Sequence, residues 1–275
     1  MTEIIDGKSL AKQKLDSLRA EISKLAIKPC VAIILVGDNP ASKIYVENKA
    51  KAAAEIDIEA RIIRFPAAIT EASLLNEISE CNNDKSVSGI IVQLPLPDHI
   101  QNTNIIASID PKKDVDGFHP INVGMLYSGQ EPFFIPCTPL GILQLIQSQF
   151  ENLEGLHVAI IGRSNIVGKP LASLLLKHDL TVTICHSKTK DLASITKRAD
   201  IVVTASGQTL SYGREYFSEK SVIIDVGINR TQEGKIAGDV RFEEVFGYVK
   251  AITKVPGGVG PMTIANLLAN TLKAY

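Results

Sequence analysis

The sequence predicts an α/β protein with mostly parallel sheets. Short β-branched runs alternate with longer amphipathic segments along almost the whole chain. The short runs are continuously apolar instead of alternating, as in strands covered on both faces. Parallel neighbours joined through a helix then cross over with a right hand.

Taken in order, Lys8–Leu25 reads as a first helix and Val31–Val36 as the first strand. Helix Ser42–Ile56 follows, with Ala50–Ala54 rich in the best helix former. Strand Ala60–Phe65, helix Glu71–Asn82 and strand Gly89–Gln93 complete a first half. Gly129, Pro132, Pro136 and Pro139 then interrupt both element types and place a domain boundary. The expected domains are 1–137 and 138–261. The second contains helix Thr138–Phe150, strand Val158–Ile161, helix Lys169–His178 and strands Thr181–Ile184, Ile201–Thr204 and Val222–Asp225. Val255–Pro261 is too rich in Gly and Pro to read as regular structure, and Thr263 reads as the N-cap of a final helix. That helix, 262–275, is expected to pack back on the first domain.

Composition narrows the function classes. Of 275 residues 45% are hydrophobic and 21% charged, which excludes disorder and collagen as the main class. Twenty-nine basic residues nearly cancel 30 acidic ones, so there is no electrostatic case for nucleic acid or a membrane surface. Cys30, Cys81, Cys137 and Cys185 form no CxxC or CxxxC pair, which argues against structural zinc and a disulfide framework. No metal site is expected. The N-terminal stretch lacks the apolar core of a signal peptide, and no apolar run nears the roughly 18 residues of a membrane span. A soluble protein of the reducing cytoplasm is the expectation.

Val158-Ala-Ile-Ile-Gly-Arg-Ser-Asn-Ile-Val-Gly168 reads as strand, tight turn and helix start. Such a turn lets a pyrophosphate approach the backbone at a helix N-terminus. It departs from the usual glycine fingerprint: Ser164 stands at the second glycine position, and Gly168 follows Gly162 by six residues. A ligand-free strand-to-helix turn would look the same. The next strand discriminates. An NAD site usually places an acid about 20 residues on, against the ribose 2′-hydroxyl. Here Ile184-Cys-His-Ser-Lys-Thr-Lys190 holds no acid before Asp191. Arg163 and Ser187 suit a 2′-phosphate, so the reading is NADP. Lys188 and Lys190 read as solvated surface residues.

In the first half, Tyr45 and Lys49 stand at i, i+4 on one helix face, about 6 Å apart at Cβ. Positioned proton transfer could use such a pair, though Tyr and Lys on a helix are usually only surface residues. Further segments sharpen the reading: YVENKAK from Tyr45, VQLPLP from Val92, PKKDVDGFHPINVG from Pro111, PCTPLG from Pro136, GRSNIVGKP from Gly162, TVTICHSKT from Thr181, DVGIN from Asp225 and PGGVGPMT from Pro256. On these motifs, spread over nearly the whole chain, the sequence closely resembles the bifunctional methylenetetrahydrofolate dehydrogenase/methenyltetrahydrofolate cyclohydrolase family.

The resemblance implies two α/β lobes around a cleft, the second a Rossmann-like NADP-binding domain, with the folate against the first. It implies Lys49 as the cyclohydrolase lysine, Tyr45 packed along the folate, Gln93 positioning the lysine and Asp116 holding the pterin. Val92 and Leu94 flank Gln93 in the substrate-binding segment. Gly257 and Thr263 lie beside the substrate. Gly162, Arg163, Ser164, Ser187 and Ile228 are the implied cofactor residues. The partners implied are tetrahydrofolate one-carbon derivatives, with a homodimer formed through the cofactor lobe. Two departures stand out: Asp57 replaces a usual glycine, and Lys254 a frequent proline.

Asp114 reads as a turn cap, and His119 and His186 as structural. Asp225 could serve the cofactor or fix the Gly227 turn. The alternatives are one activity alone, a catalytically silent NADP sensor, or a dehydrogenase of an unrelated carbonyl compound. The intact Lys49, Gln93 and Asp116 set argues against the first two. The third lacks a His placed with an Asp as its base.

Overall fold

A computed structural model describes residues 1–231 and 233–275. The chain opens with strand β1 (Glu3–Ile5) and helix α1 (Gly7–Ile22). Then β2 (Cys30–Val36), α2 (Pro40–Glu55), β3 (Glu59–Phe65), α3 (Glu71–Asn83) and β4 (Gly89–Val92) alternate. Helices α4 (Asn102–Ser108), α5 (Pro120–Tyr127) and α6 (Cys137–Gln147) lead to a second series. It runs β5 (His157–Ile161), α7 (Gly168–Lys177), β6 (Thr181–Cys185), α8 (Leu192–Lys197), β7 (Ile201–Thr204) and β8 (Val222–Asp225). Strands β9 (Asn229–Arg230) and β10 (Ile236–Ala237), helix α9 (Phe242–Val245), β11 (Ala251–Thr253) and α10 (Val259–Ala274) close the chain. No described helix is long and apolar enough to cross a membrane.

Two compact units result. One comprises Lys12–Cys137 with Ile264–Tyr275, the other Met1–Ala11 with Thr138–Thr263. The first unit holds a parallel sheet of order β3-β2-β4. All seven residues of β2 are buried. Alternate residues face opposite sides: Val31, Ile33 and Leu35 pack with Val46, Ala53, Leu267 and Leu268, while Ala32, Ile34 and Val36 pack with Leu74, Ile78 and Ile105. Each such Val, Leu or Ile side chain contributes roughly 1.5–3 kcal/mol on burial. This is why β2 reads as one unbroken apolar run.

The second unit holds a six-stranded parallel sheet of order β1-β11-β8-β7-β5-β6. Its core includes Ala159, Ile161, Val202, Ile223, Ile252 and Phe217. Sequence reading placed residues 1–11 with the first domain. The structure places them with the second, because Glu3–Ile5 pairs in register with Ala251–Thr253. Two further expectations are corrected at the C-terminus. The Gly- and Pro-rich segment is partly regular, since α10 starts at Val259 with Pro261 in its first turn, where a missing N–H costs nothing. Thr263 therefore lies inside the helix, and its hydroxyl donates to Val259 O at 3.3 Å in place of capping.

Asp57 ends α2 with φ +61°, the conformation that a glycine would adopt freely. Ile58 N donates back to Ala53 O at 3.0 Å, closing the helix end. Left-handed backbone costs an L-residue about 1–2 kcal/mol, and glycine's extra chain entropy returns about 0.5–1 kcal/mol of that. Asp57→Gly should therefore raise stability by about 0.5 kcal/mol, read as a higher urea midpoint with an unchanged slope. A lower midpoint would show that the Asp57 side chain itself stabilises the turn.

Candidate active site

In the first unit, β2 leads into α2 through Asn39, whose side chain accepts from Ala41 N and Ser42 N, with Pro40 at the first helical position. The inward stripe of α2 is Ser42, Val46, Lys49 and Ala53. Lys49 is thus drawn in by helical periodicity and is only 6% exposed. Its Nζ donates to Gln93 Oε1 at 3.2 Å. Gln93 leaves the carboxyl end of β4, fixed by its own N–H on Ile34 O at 2.9 Å. Gln93 Nε2 donates to Leu94 O at 2.8 Å, which turns the amide oxygen toward the lysine. Val92 is buried and Leu94 half-buried. Tyr45 stands one turn before Lys49, half-buried, and burial pushes its phenol above the ordinary tyrosine value.

Asp114 and Asp116 sit two residues apart with different surroundings. Asp114 is buried and accepts from His119 N at 2.7 Å and Asn122 Nδ2 at 2.9 Å. Burial pushes its carboxyl up to about 7 against those donors. His119 caps α5 through Nδ1, which accepts from Ile121 N. Both residues therefore hold the loop. Asp116 is half-buried, and among the described residues its carboxylate has no hydrogen-bond donor. Its backbone is held on both sides. Asn270 Nδ2 donates to Val115 O at 2.9 Å, and Cys137 N donates to Asp116 O at 3.3 Å. Gly117 has φ +76°, and a Cβ there would come within 2.6 Å of Pro136 N. Burial pushes the Cys137 thiol well up, Asp116 and Asp114 act in the same sense and Lys49 opposes them. Lys49 and Asp116 are thus within electrostatic reach of one buried atom.

Sequence reading missed Asn266 and Asn270 on α10. Asn266 takes Lys14 Nζ on its oxygen at 2.7 Å and donates to Cys137 O at 3.3 Å. Two Asn four residues apart on an otherwise apolar helical face were the available signal.

In the second unit, Gly162 ends β5 with φ +140°, and a Cβ there would overlap Ala205 O. A Cβ on Gly168 would overlap Gly162 O, so α7 starts directly against the strand end. Ser164 fills the second glycine position for a local reason. Its Oγ accepts from Val167 N at 3.2 Å and Gly168 N at 3.4 Å, satisfying donors at the start of α7. Arg163 and Ser187 are exposed on the loops leaving β5 and β6, paired to the last residue, Ile161 with Cys185. His186 Nδ1 accepts from Lys188 N at 3.1 Å, fixing that turn. Ile228 is exposed after β8, with Gly260 beneath it. Gly257 has φ +116°, and its carbonyl accepts from Lys8 N at 2.9 Å. Thr263 Oγ1 lies 3.0 Å from Thr138 Oγ1. Asp225 is buried and accepts from Gly227 N at 3.0 Å, so it fixes that turn. Burial pushes its carboxyl up and backbone donors oppose this.

Residues 5–116 match the family model "Tetrahydrofolate dehydrogenase/cyclohydrolase, catalytic domain". Residues 136–275 match its "NAD(P)-binding domain". "Bifunctional protein FolD" of Rickettsia bellii is 54% identical over 279 residues, covering 100% of this chain and 99% of that protein. The crystal structure of the bifunctional enzyme FolD from Campylobacter jejuni superposes with TM-score 0.97 at 49% identity, covering 100% and 98% of the two chains. The methylenetetrahydrofolate dehydrogenase-cyclohydrolase of Trypanosoma brucei, solved with NADP cofactor and an inhibitor, superposes with TM-score 0.94 at 35% identity, covering 99% and 97%. With both domain models matched in order, and identity of this depth running the full length, the chain belongs to the bifunctional tetrahydrofolate dehydrogenase/cyclohydrolase family.

Proposed function

We propose that this enzyme oxidises 5,10-methylenetetrahydrofolate with NADP to 5,10-methenyltetrahydrofolate, and hydrolyses that product to 10-formyltetrahydrofolate with Lys49 as the acid–base group. The observation that carries this reading is the buried Lys49 ammonium seated on the Gln93 amide oxygen. Removing hydride from the one-carbon bridge leaves an amidinium cation shared by two nitrogens. No proton leaves in that step, so it asks the protein for positioning above all. Bound NADP supplies the hydride acceptor.

Hydrolysis differs, because the attacking water must lose both protons, one as it adds and one from the new hydroxyl as the formyl carbonyl forms, while the departing ring nitrogen gains one and the other goes to solvent. Lys49 Nζ accepts the proton of the adding water and returns it to the ring nitrogen as the C–N bond breaks. Gln93 aims the lysine, and Tyr45, Val92 and Leu94 line the folate. The pterin edge offers an amino group and a ring N–H side by side, which the Asp116 carboxylate accepts in bidentate fashion. Gly257 and Thr263 complete the substrate residues in this reading.

The donor set of the second unit fits NADP. Arg163 and Ser187 stand on the loops leaving two paired strands, the loop after β6 holds no acid before Asp191, and Gly162 and Ser164 shape the helix start after β5. Ile228 is the fifth cofactor residue. The test follows NADPH and methenyltetrahydrofolate absorbance with purified enzyme and each cofactor. Turnover with NADP should exceed that with NAD. Ser187→Asp should lower kcat/KM for NADP about tenfold or more, since 1.4 kcal/mol of charge repulsion gives that factor. NAD used equally well by the native enzyme would refute the roles of Arg163 and Ser187.

The reading includes a homodimer through this unit. Strand β6 is a sheet edge, with Ile184 40% exposed on it and Leu176 of α7 59% exposed. Sedimentation equilibrium should give twice the 29.7 kDa chain mass. A monomer at micromolar concentration would refute it. Four free, buried cysteines suit the reducing cytoplasm.

A further inference from the structure

At the carboxyl edge of the second unit two aspartates are buried together: Asp239 is 0% exposed and Asp225 3%. Asp239 Oδ2 accepts from Ser206 N at 2.7 Å, Ser206 Oγ at 2.8 Å and Gly207 N at 3.0 Å. Its Oδ1 accepts from Asn229 Nδ2 at 2.8 Å. Asp225 accepts from Thr204 Oγ1, Gly227 N, Asp239 N and Val240 N, each at 3.0 Å. These partners are all neutral donors. Both oxygens of Asp239 act purely as acceptors, the pattern of an ionised carboxylate. The backbone makes room for the pair, since a Cβ on Gly227 would overlap Asp239 and one on Gly238 would overlap Asp225.

The mechanism above does not use this pair, but its place in the sheet gives it a role. A dinucleotide lies across the point where strand order reverses, here between β5 and β7. Arg163 and Ser187 follow β5 and β6, on the side of the 2′-phosphate. The loops after β7 and β8 are on the other side and so serve the nicotinamide half. Asp239 ties these two loops together, through Ser206 and Gly207 on one and Asn229 on the other. Ile228 lies between Gly227 and Asn229, both of which touch Asp239. The nicotinamide ring is cationic when oxidised and neutral when reduced, while the rest of the dinucleotide is identical. A buried negative charge that holds the loops serving that half therefore acts on one redox form more than on the other.

Resting on the cofactor reading above, we propose that Asp239, with Asp225 beside it, positions the two nicotinamide-side loops and selects the oxidised cofactor over the reduced one. The test is calorimetric titration of NADP+ and of NADPH, without folate, into the native enzyme and into Asp239→Asn. Losing the charge should raise Kd for NADP+ about 3–10-fold more than Kd for NADPH. Asn229→Ala leaves the Asp239 carboxylate in place and removes one positioning bond, so it should raise both values by the same factor. Equal changes for both forms in Asp239→Asn, or none, would overturn the selection. If that variant does not fold, the native enzyme decides: NADP+ bound at least as tightly as NADPH supports the proposal, and the reverse order overturns it. A native enzyme that binds neither form defeats the cofactor reading itself.

Discussion

Lys49→Met is expected to remove most of the cyclohydrolase activity while NADP binding stays intact. Positioned proton transfer contributes about 10²–10⁴-fold, and the loss should fall in that range. Methionine keeps much of the stem length and its apolar packing on the buried stripe of α2. The Gln93 oxygen loses its donor, which costs about 1 kcal/mol of stability at most. Dehydrogenation falls less, because hydride transfer moves no proton. Given methylenetetrahydrofolate and NADP, the variant should release methenyltetrahydrofolate and form NADPH. Rapid quench with product chromatography reads the partition. Prompt 10-formyltetrahydrofolate would show that another group handles the proton.

Asp116→Ala should weaken folate in both activities by a similar factor. Losing a charge-assisted pair costs about 2–3 kcal/mol, or roughly 30–150-fold in folate KM. NADP affinity should hold, since Arg163 and Ser187 lie in the other compact unit. The folded protein should keep its melting temperature, because the Asp116 carboxylate has no donor among the described residues. Equal losses of folate and NADP affinity would mean that Asp116 supports the fold instead of the ligand.

The contrast between Asp114 and Asp116 shows what a sequence can and cannot display. Both stand in one loop, and the turn-cap reading of Asp114 came from the chain alone. What separates them physically is the donor pair His119 N and Asn122 Nδ2, which only the folded loop brings to Asp114. The central strands β2, β4, β5, β7 and β8 were legible because burial on two faces writes a continuous apolar run. Strands β1 and β11 were not, since three residues each carry too little pattern and their pairing partners lie 248 positions apart, Glu3 with Ala251. The α10 start was hidden by Gly and Pro residues that usually break helices. Asp57 stands where glycine is usual, and its φ of +61° gives the reason. Lys49 was visible as a helical spacing, while its partner Gln93 reaches it from the end of strand β4, 44 residues on. Asn270 was invisible because it acts on Val115, 155 residues away.

The central claim is that Lys49 transfers protons in the hydrolysis. Lys49→Arg tests it most directly, since arginine keeps the positive charge but does not deprotonate near neutral pH. Single-turnover hydrolysis of methenyltetrahydrofolate by this variant, at saturating enzyme, should be slowed as severely as in Lys49→Met. A rate near that of the native enzyme would contradict the account, because the lysine would then act only as a fixed charge.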